Sequence, residues 1–360
     1  MARLQDIADM AGVSRTTVSN VLHGKTKRVS QETIDKIKKL LEENEYVPNM
    51  GSMMLTGKGS KIIGFVMGYE YVHGYSAIMD SFIGGLLAAV QNEAEKLGYY
   101  VMVIGGAKEE NVVNIASRWN VDGLIFIGYS EERYRHLRKL LNKKAVLIDT
   151  YTSRKEYDYQ NVGIDDYDGG YQVGRYLLEC GYPNALFIAE ETRTAVQEEM
   201  KHLSNQQKFA GYCNESRWRG FKKGMESSGI YCSSKRYIVV DQEWKIRKMQ
   251  YERLVPQILK AGALAACSDY NAIEIINFLH DRNIRVPEQV SIVGFDDCIY
   301  AEYVRPRLTT VRQNVTEKGK TALRRLIRML EGEELPDMYV KGRVRLIVRD
   351  SVKRRNETYE

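Results

Sequence analysis

The sequence predicts an all-α head joined by a short hinge to an α/β region of two doubly wound parallel-sheet lobes. Three observations carry this. Residues 4–22 place apolar side chains at helical spacing on either side of a tight turn. At Ile62 the pattern changes to short apolar runs alternating with amphipathic segments, the signature of βαβ units. That alternation continues to about residue 352, too long for one comfortable core, and so divides in two.

In the head, Leu4, Ile7, Ala8 and Ala11 share one face of a first helix. Gly12 stands where the chain must turn, a position suited to a residue free to take positive φ. Ser14 caps a second helix whose Val18, Val21 and Leu22 point inward, leaving Arg15, Thr16, Thr17, Ser19 and Asn20 outside. Short hydrogen-bonding side chains with one arginine at the N-terminal end suit the major groove of DNA. A generic helical hairpin more often carries Glu and Lys pairs there. Gly24-Lys25-Thr26-Lys27-Arg28 is a basic turn able to approach phosphates. Ser30 caps a third helix with Ile34, Ile37 and Leu41 as its inner stripe, and Tyr46-Val47-Pro48 ends it. The head is therefore residues 1–46, the hinge 47–60, and the α/β region 61–352.

Beyond the hinge, apolar runs at 62–67, 100–104, 123–127, 145–149, 185–189, 237–240, 264–267 and 291–295 read as strands. Helical patterns fall near 82–97, 131–141, 170–180, 217–228, 269–281 and 317–330. Ligands of such folds bind at the carboxyl ends of strands, so the cleft between two lobes is the natural site. The polar stretch 190–216 interrupts the rhythm and reads as an inserted excursion with some helix.

Composition narrows the function classes. With 360 residues, 44% hydrophobic, 28% charged and a net charge of +6, the chain reads as a soluble globular protein for which a polyanionic partner is permitted. Five cysteines (180, 213, 232, 267, 298) stand far apart, which suggests neither a zinc ligand set nor a disulfide framework; reduced thiols in the cytoplasm are the simplest reading. Neither a signal peptide nor a membrane span is expected. Gly51…Gly57-Lys58 is rejected as a phosphate loop, because five residues separate its glycines and Gly59 stands where Ser or Thr should hold magnesium. Asp165-Asp166 and Asp296-Asp297 invite a catalytic-carboxylate reading. Adjacent strand residues point oppositely, however, so one of each pair caps a helix or faces a ligand. The histidines show no metal spacing, no nucleophile has an activating neighbour, and no cofactor motif is present.

Leu4-Gln5-Asp6-Ile7-Ala8 through Val18-Ser19-Asn20-Val21-Leu22, then Tyr46-Val47-Pro48-Asn49, resembles the lactose-repressor (LacI/GalR) family of bacterial transcription regulators. So do Val121-Asp122-Gly123-Leu124-Ile125, Arg217-Trp218-Arg219-Gly220-Phe221, Ser268-Asp269, the run Val286–Asp297, Leu308-Thr309-Thr310-Val311 and Leu346-Ile347-Val348-Arg349, all in one consistent order. The resemblance implies a homodimer on a pseudo-palindromic operator, with a periplasmic-binding-protein-like effector domain controlling the heads. It implies that the chain passes twice between lobes, one of 61–163 with 293–322 and the other of 164–292 with 323–352. It places Arg15, Thr16 and Asn20 on bases, Ser14, Thr17 and Ser19 on phosphates, and Leu55 in the central minor groove. In the cleft it places Arg217 and Asp296 on the effector, Trp244 as an aromatic platform, and Asp149, Ser268 and Asp269 beside them.

This sequence departs from the family at Ser52, Met53 and Met54 before the leucine, at Gly51 in the hinge, at Ile34 in place of a frequent arginine, and in the length of 190–216. A carboxylate, a guanidinium fork and an indole together suit a sugar or glycoside, with a nucleobase as the alternative. A two-lobed transport protein would carry a secretion signal and no DNA-binding head.

Overall fold

The computed structural model describes residues 3–22, 24–44, 46, 59–68, 71–72, 75–106, 108–152, 158–190, 213–229, 231–241 and 243–355. Residues 47–58 of the hinge, with Leu55, and residues 191–212 of the 190–216 segment lie outside the described residues. Residues 1–60 and 61–360 form two separate units.

The head is three helices, α1 (Leu4–Ala11), α2 (Arg15–Leu22) and α3 (Gln31–Glu43). Ile7, Ala8, Ala11, Val18, Val21, Ile34 and Ile37 make one buried cluster, with Leu4, Leu22 and Leu41 packed at its margin. The ends are satisfied locally. Gly12 closes α1 at φ 71°, the Lys36 ammonium donates to the Ala11 carbonyl at 3.0 Å, and the Ser30 hydroxyl accepts the Thr33 N–H at 3.3 Å.

The first lobe holds β1 (Ile62–Met67), a small hairpin of β2 (Tyr71–Val72) and β3 (Tyr75–Ser76), α4 (Ser81–Lys96), β4 (Tyr100–Gly105), α5 (Glu109–Arg118), β5 (Gly123–Ile127), α6 (Glu131–Leu140), β6 (Lys144–Ile148) and β7 (Gln160–Ile164). The chain then enters the second lobe with α7 (Asp166–Glu179), β8 (Leu186–Glu190), α8 (Cys213–Met225), β9 (Tyr237–Val240), α9 (Trp244–Ala261), β10 (Ala263–Ala266), α10 (Asp269–His280), β11 (Ser291–Asp296), the short α11 (Tyr300–Tyr303) and β12 (Thr309–Gln313). It returns for α12 (Val315–Leu330) and β13 (Tyr339–Gly342), and crosses once more for β14 (Val344–Ile347). Strand order is β13-β7-β6-β5-β1-β4 in the first sheet and β14-β12-β11-β10-β8-β9 in the second. Pairing is parallel throughout both except between β12 and β14. Helices cover both faces of each sheet, which is why β5, for example, is buried along its whole length and reads as an unbroken apolar run.

This corrects the expected lobe boundaries. Strands β11 and β12 belong to the second sheet, where Val293 pairs with Thr309, and α12 with β13 belongs to the first, where Tyr339 pairs with Asn161. The chain therefore crosses between lobes near 165, 314 and 343, where the expected segments change lobe at 163/164, 292/293 and 322/323. The reason is physical: apolar periodicity marks a strand but not the sheet it joins. Among the described residues no helix is long and apolar enough to cross a membrane.

Candidate functional sites in the head and the cleft

In the head, α2 presents Arg15 and Thr16 exposed, with Thr17, Ser19 and Asn20 half-buried beside them. The Ser14 hydroxyl accepts the Thr17 N–H at 3.1 Å and shares a 2.9 Å hydrogen bond with the Thr17 hydroxyl, so these two side chains hold the start of the helix. Alongside lies a concavity of about 680 Å³ whose walls include Thr17, Asn20, Lys25, Lys27, Arg28 and Thr33. The basic turn and the N-terminus of α3 thus share a wall with the recognition surface, an arrangement suited to phosphate.

The second site is built at the carboxyl ends of the lobe strands. Arg217 on α8 is 7% exposed. Its Nε donates to Asp166 Oδ1 at 2.8 Å, its Nη1 donates to the Cys267 carbonyl at 2.5 Å, and its guanidinium carbon lies 3.6 Å from the Phe295 ring centroid. Nη2 points at Asp296 Oδ1 across 3.7 Å, too far for a direct hydrogen bond. Asp296 ends β11 and accepts from Gln313 Nε2 at 2.6 Å. Burial pushes the Asp296 pKa up to about 6, against the opposing pull of Arg217. Asp166, 2% exposed, takes the Tyr151 hydroxyl on its second oxygen; burial raises its pKa, and Arg217 works the other way.

Asp149 follows β6 in a left-handed turn and accepts from the Lys318 ammonium at 2.9 and 2.7 Å. Lys318 also donates to Gln313 Oε1 at 2.6 Å. A polar chain therefore runs Asp149–Lys318–Gln313–Asp296, and after the 3.7 Å gap continues Arg217–Asp166–Tyr151. Its members come from both lobes.

The other three expected cleft residues sit differently. Ser268 follows the Cys267 carbonyl that holds Arg217, but its hydroxyl caps α10, accepting the Asn271 N–H at 3.2 Å and donating to Asn271 Oδ1 at 2.8 Å. Asp269 is a correction: at 1% exposure it is turned into the lobe, accepting the Cys298 N–H at 2.7 Å and the Thr310 hydroxyl at 2.5 Å. Burial lifts its carboxyl well above the ordinary range. Trp244 begins α9, is 44% exposed, and lies 5.7 Å from the Arg247 guanidinium carbon, beside that residue's ion pairs with Glu190 and Glu274.

Reading from sequence misses Tyr151, Lys318, Gln313 and Phe295. Asp166 is half-visible in the Asp165-Asp166 pair: Asp165 caps α7 through the Asp168 N–H at 2.9 Å, which leaves Asp166 for the arginine. What seats Arg217 is also a close approach of α7 to α8. A Cβ on Gly170 would stand 1.9 Å from the Arg217 carbonyl oxygen, so only glycine fits.

Comparison with known proteins follows the same division. A profile for bacterial regulatory proteins of the lacI family matches residues 3–49, and one for a periplasmic binding protein-like domain matches 175–352. The HTH-type transcriptional regulator DegA of Bacillus subtilis (strain 168) is 27% identical over 354 residues, 97% of each chain. The HTH-type transcriptional repressor PurR of Vibrio vulnificus (strain CMCP6) is 25% identical over 364 residues, 99% of this chain and 100% of that one. Two solved structures share the fold. A lac repressor dimer bound to operator and the anti-inducer ONPF has a TM-score of 0.76 at 21% identity, over 98% of this chain and 99% of that one. A complex of the regulator CelR with cellobiose has 0.69 at 22% identity, over 98% and 100%.

Proposed function

We propose that the chain is a transcriptional regulator of the lacI kind, since residues 3–49 match the lacI-family profile and residues 175–352 a periplasmic binding protein-like domain, and that a hydroxyl-rich small molecule, a sugar or glycoside, bound between its lobes controls its grip on operator DNA. The gap between Arg217 Nη2 and Asp296 Oδ1 carries this reading. One donor and one acceptor face each other at 3.7 Å without bonding, while the remaining contacts of Arg217 hold its fork still. A hydroxyl can accept from Nη2 and donate to the remaining lone pair of Oδ1, which already accepts from Gln313 at 2.6 Å, as no aliphatic group can. The ligand acts by preferring one lobe angle, since only differential affinity shifts such an equilibrium.

In the head, Arg15, Thr16 and Asn20 read bases, Ser14, Thr17 and Ser19 position the helix on phosphates, and Leu55 of each hinge enters the minor groove of a two-fold operator bound by a homodimer. CelR, solved with cellobiose, is a relative in fold for which a sugar is the bound molecule. A nucleobase is the second reading, since the Arg217 donor and the Asp296 acceptor also suit the edge of a base.

The test is a thermal-shift panel of sugars and nucleobases, with Arg217→Ala and Asp296→Ala as controls, followed by gel shifts on genomic fragments with each hit. A sugar hit abolished by both substitutions is expected. A nucleobase hit that both abolish overturns the sugar reading, and a sugar hit insensitive to both misplaces the site.

A further inference from the structure

Arg217 belongs to the second lobe, yet the group that completes its setting comes from the first. At the end of β6, Asp149 turns at φ 51°, its N–H on the Val162 carbonyl at 3.0 Å and its carboxylate clamped by Lys318. Buried Thr150 donates its hydroxyl to the Tyr129 carbonyl at 3.0 Å and its N–H to Asn161 Oδ1 at 3.2 Å. Both residues before Tyr151 are therefore fixed to the first lobe, and Tyr151 leaves from a rigid base. Its hydroxyl donates to Asp166 Oδ2, on the first residue of α7 in the second lobe. Asp166 Oδ1 holds Arg217 Nε at 2.8 Å.

We propose that Tyr151 is a positioning residue for effector recognition, a finger from the first lobe that occupies one oxygen of Asp166 and thereby keeps the second arm of the Arg217 fork turned toward Asp296. The alternative geometry shows why it matters. An arginine and a carboxylate left to themselves prefer two parallel hydrogen bonds. Without the phenol, Asp166 Oδ2 is free to accept from Nη2, which withdraws that donor from the gap. The same hydrogen bond joins the lobes, so the direction of that donor and the arrangement of the lobes are set together. This deepens the effector reading above and rests on it.

The experiment uses the full chain carrying Tyr151→Phe, Asp166→Asn, or both. Without ligand, hydrogen–deuterium exchange over 164–168 and 213–220 should quicken about tenfold in Tyr151→Phe, as expected for loss of a hydrogen bond to a charged group. Cellobiose, ribose and adenine serve as calorimetric probes. Any probe that binds the parent should bind Tyr151→Phe about tenfold more weakly, and the double variant should be no weaker than Asp166→Asn alone. Parental exchange and probe affinity in Tyr151→Phe, or additive losses in the double variant, overturn the proposal. If only adenine binds, and binds Tyr151→Phe more weakly while exchange rises as expected, the sugar reading falls and the positioning role stands.

Discussion

Replacing Asp296 with Asn should make the protein more stable at pH 8 while destroying its response to effector. The Asp296 carboxyl is held at about 6 in the fold against an ordinary value of 3.8, mainly by burial. The folded state therefore binds the proton more tightly than the unfolded chain does. Stability from this group is fully present below pH 4 and lost as pH rises through 6, because the buried carboxylate must then carry its charge. At pH 8 the cost is about 2–3 kcal/mol, since each pH unit separating the folded and unfolded values is worth about 1.4 kcal/mol. Asparagine keeps an oxygen for the Gln313 amide and tolerates the positive φ of 116° at this position better than most residues. A rise in Tm of about 4 °C or more is expected at pH 8, falling to about a third of that near pH 4.5. Scanning calorimetry of parent and variant at pH 4.5, 6 and 8 checks it. A gain independent of pH would show that titration of Asp296 is not the cause. A lower Tm at pH 8 would show that Arg217 stabilises the charged form more than burial penalises it.

Three further outcomes follow from the same geometry. Arg15→Ala should cost about 1–3 kcal/mol on a selected operator and little on random DNA, measured by titrated gel shift; equal losses on both would make it a phosphate contact only. Gly170→Ala drives a Cβ to 1.9 Å from the Arg217 carbonyl and should destabilise the α/β region by about 3 kcal/mol, seen as a lowered urea midpoint. Lys318→Met leaves Asp149 without its cation and should cost about 3–5 kcal/mol, whereas Lys318→Met with Asp149→Asn, which keeps a residue suited to φ 51°, should recover most of that; a double variant as unstable as the single refutes the pairing argument.

Legibility from sequence tracks how local each determinant is. The head can be read almost completely because its core positions recur at helical spacing and its caps act within a few residues: Ser14 on Thr17, Ser30 on Thr33. Strands β5 and β10 announce themselves as apolar runs. Strand β7 does not, although every residue in it is buried, because Gln160 and Asn161 are polar and find partners elsewhere. Gln160 accepts from Arg325 at 2.9 Å, 165 residues away. Helix α9 is hidden by its charged residues and by Pro256 inside it. Lys318 and Gln313 lack any signal, since Lys318 meets Asp149 169 positions away and neither belongs to a motif that marks the pairing.

The two acidic pairs show how the fold divides structural from functional work between neighbours. In Asp165-Asp166, the first caps α7 and takes Lys341 at 2.6 Å where the chain last crosses between lobes, and the second faces Arg217. In Asp296-Asp297 the order reverses: Asp296 faces the gap, while Asp297 ties down Arg349 at 2.6 Å and also pairs with Arg312. Each pair stands where a strand ends and the backbone changes direction, so consecutive side chains must diverge. One carboxylate then fixes the main chain, and the other is presented to the cleft from a fixed base. A single carboxylate at either place would have to do both, and its charge would already be committed to the scaffold when ligand arrived. That is why Asp296, whose nearest cation stands off at 3.7 Å and whose carboxyl is raised to about 6, is the group whose state a ligand in the cleft would change.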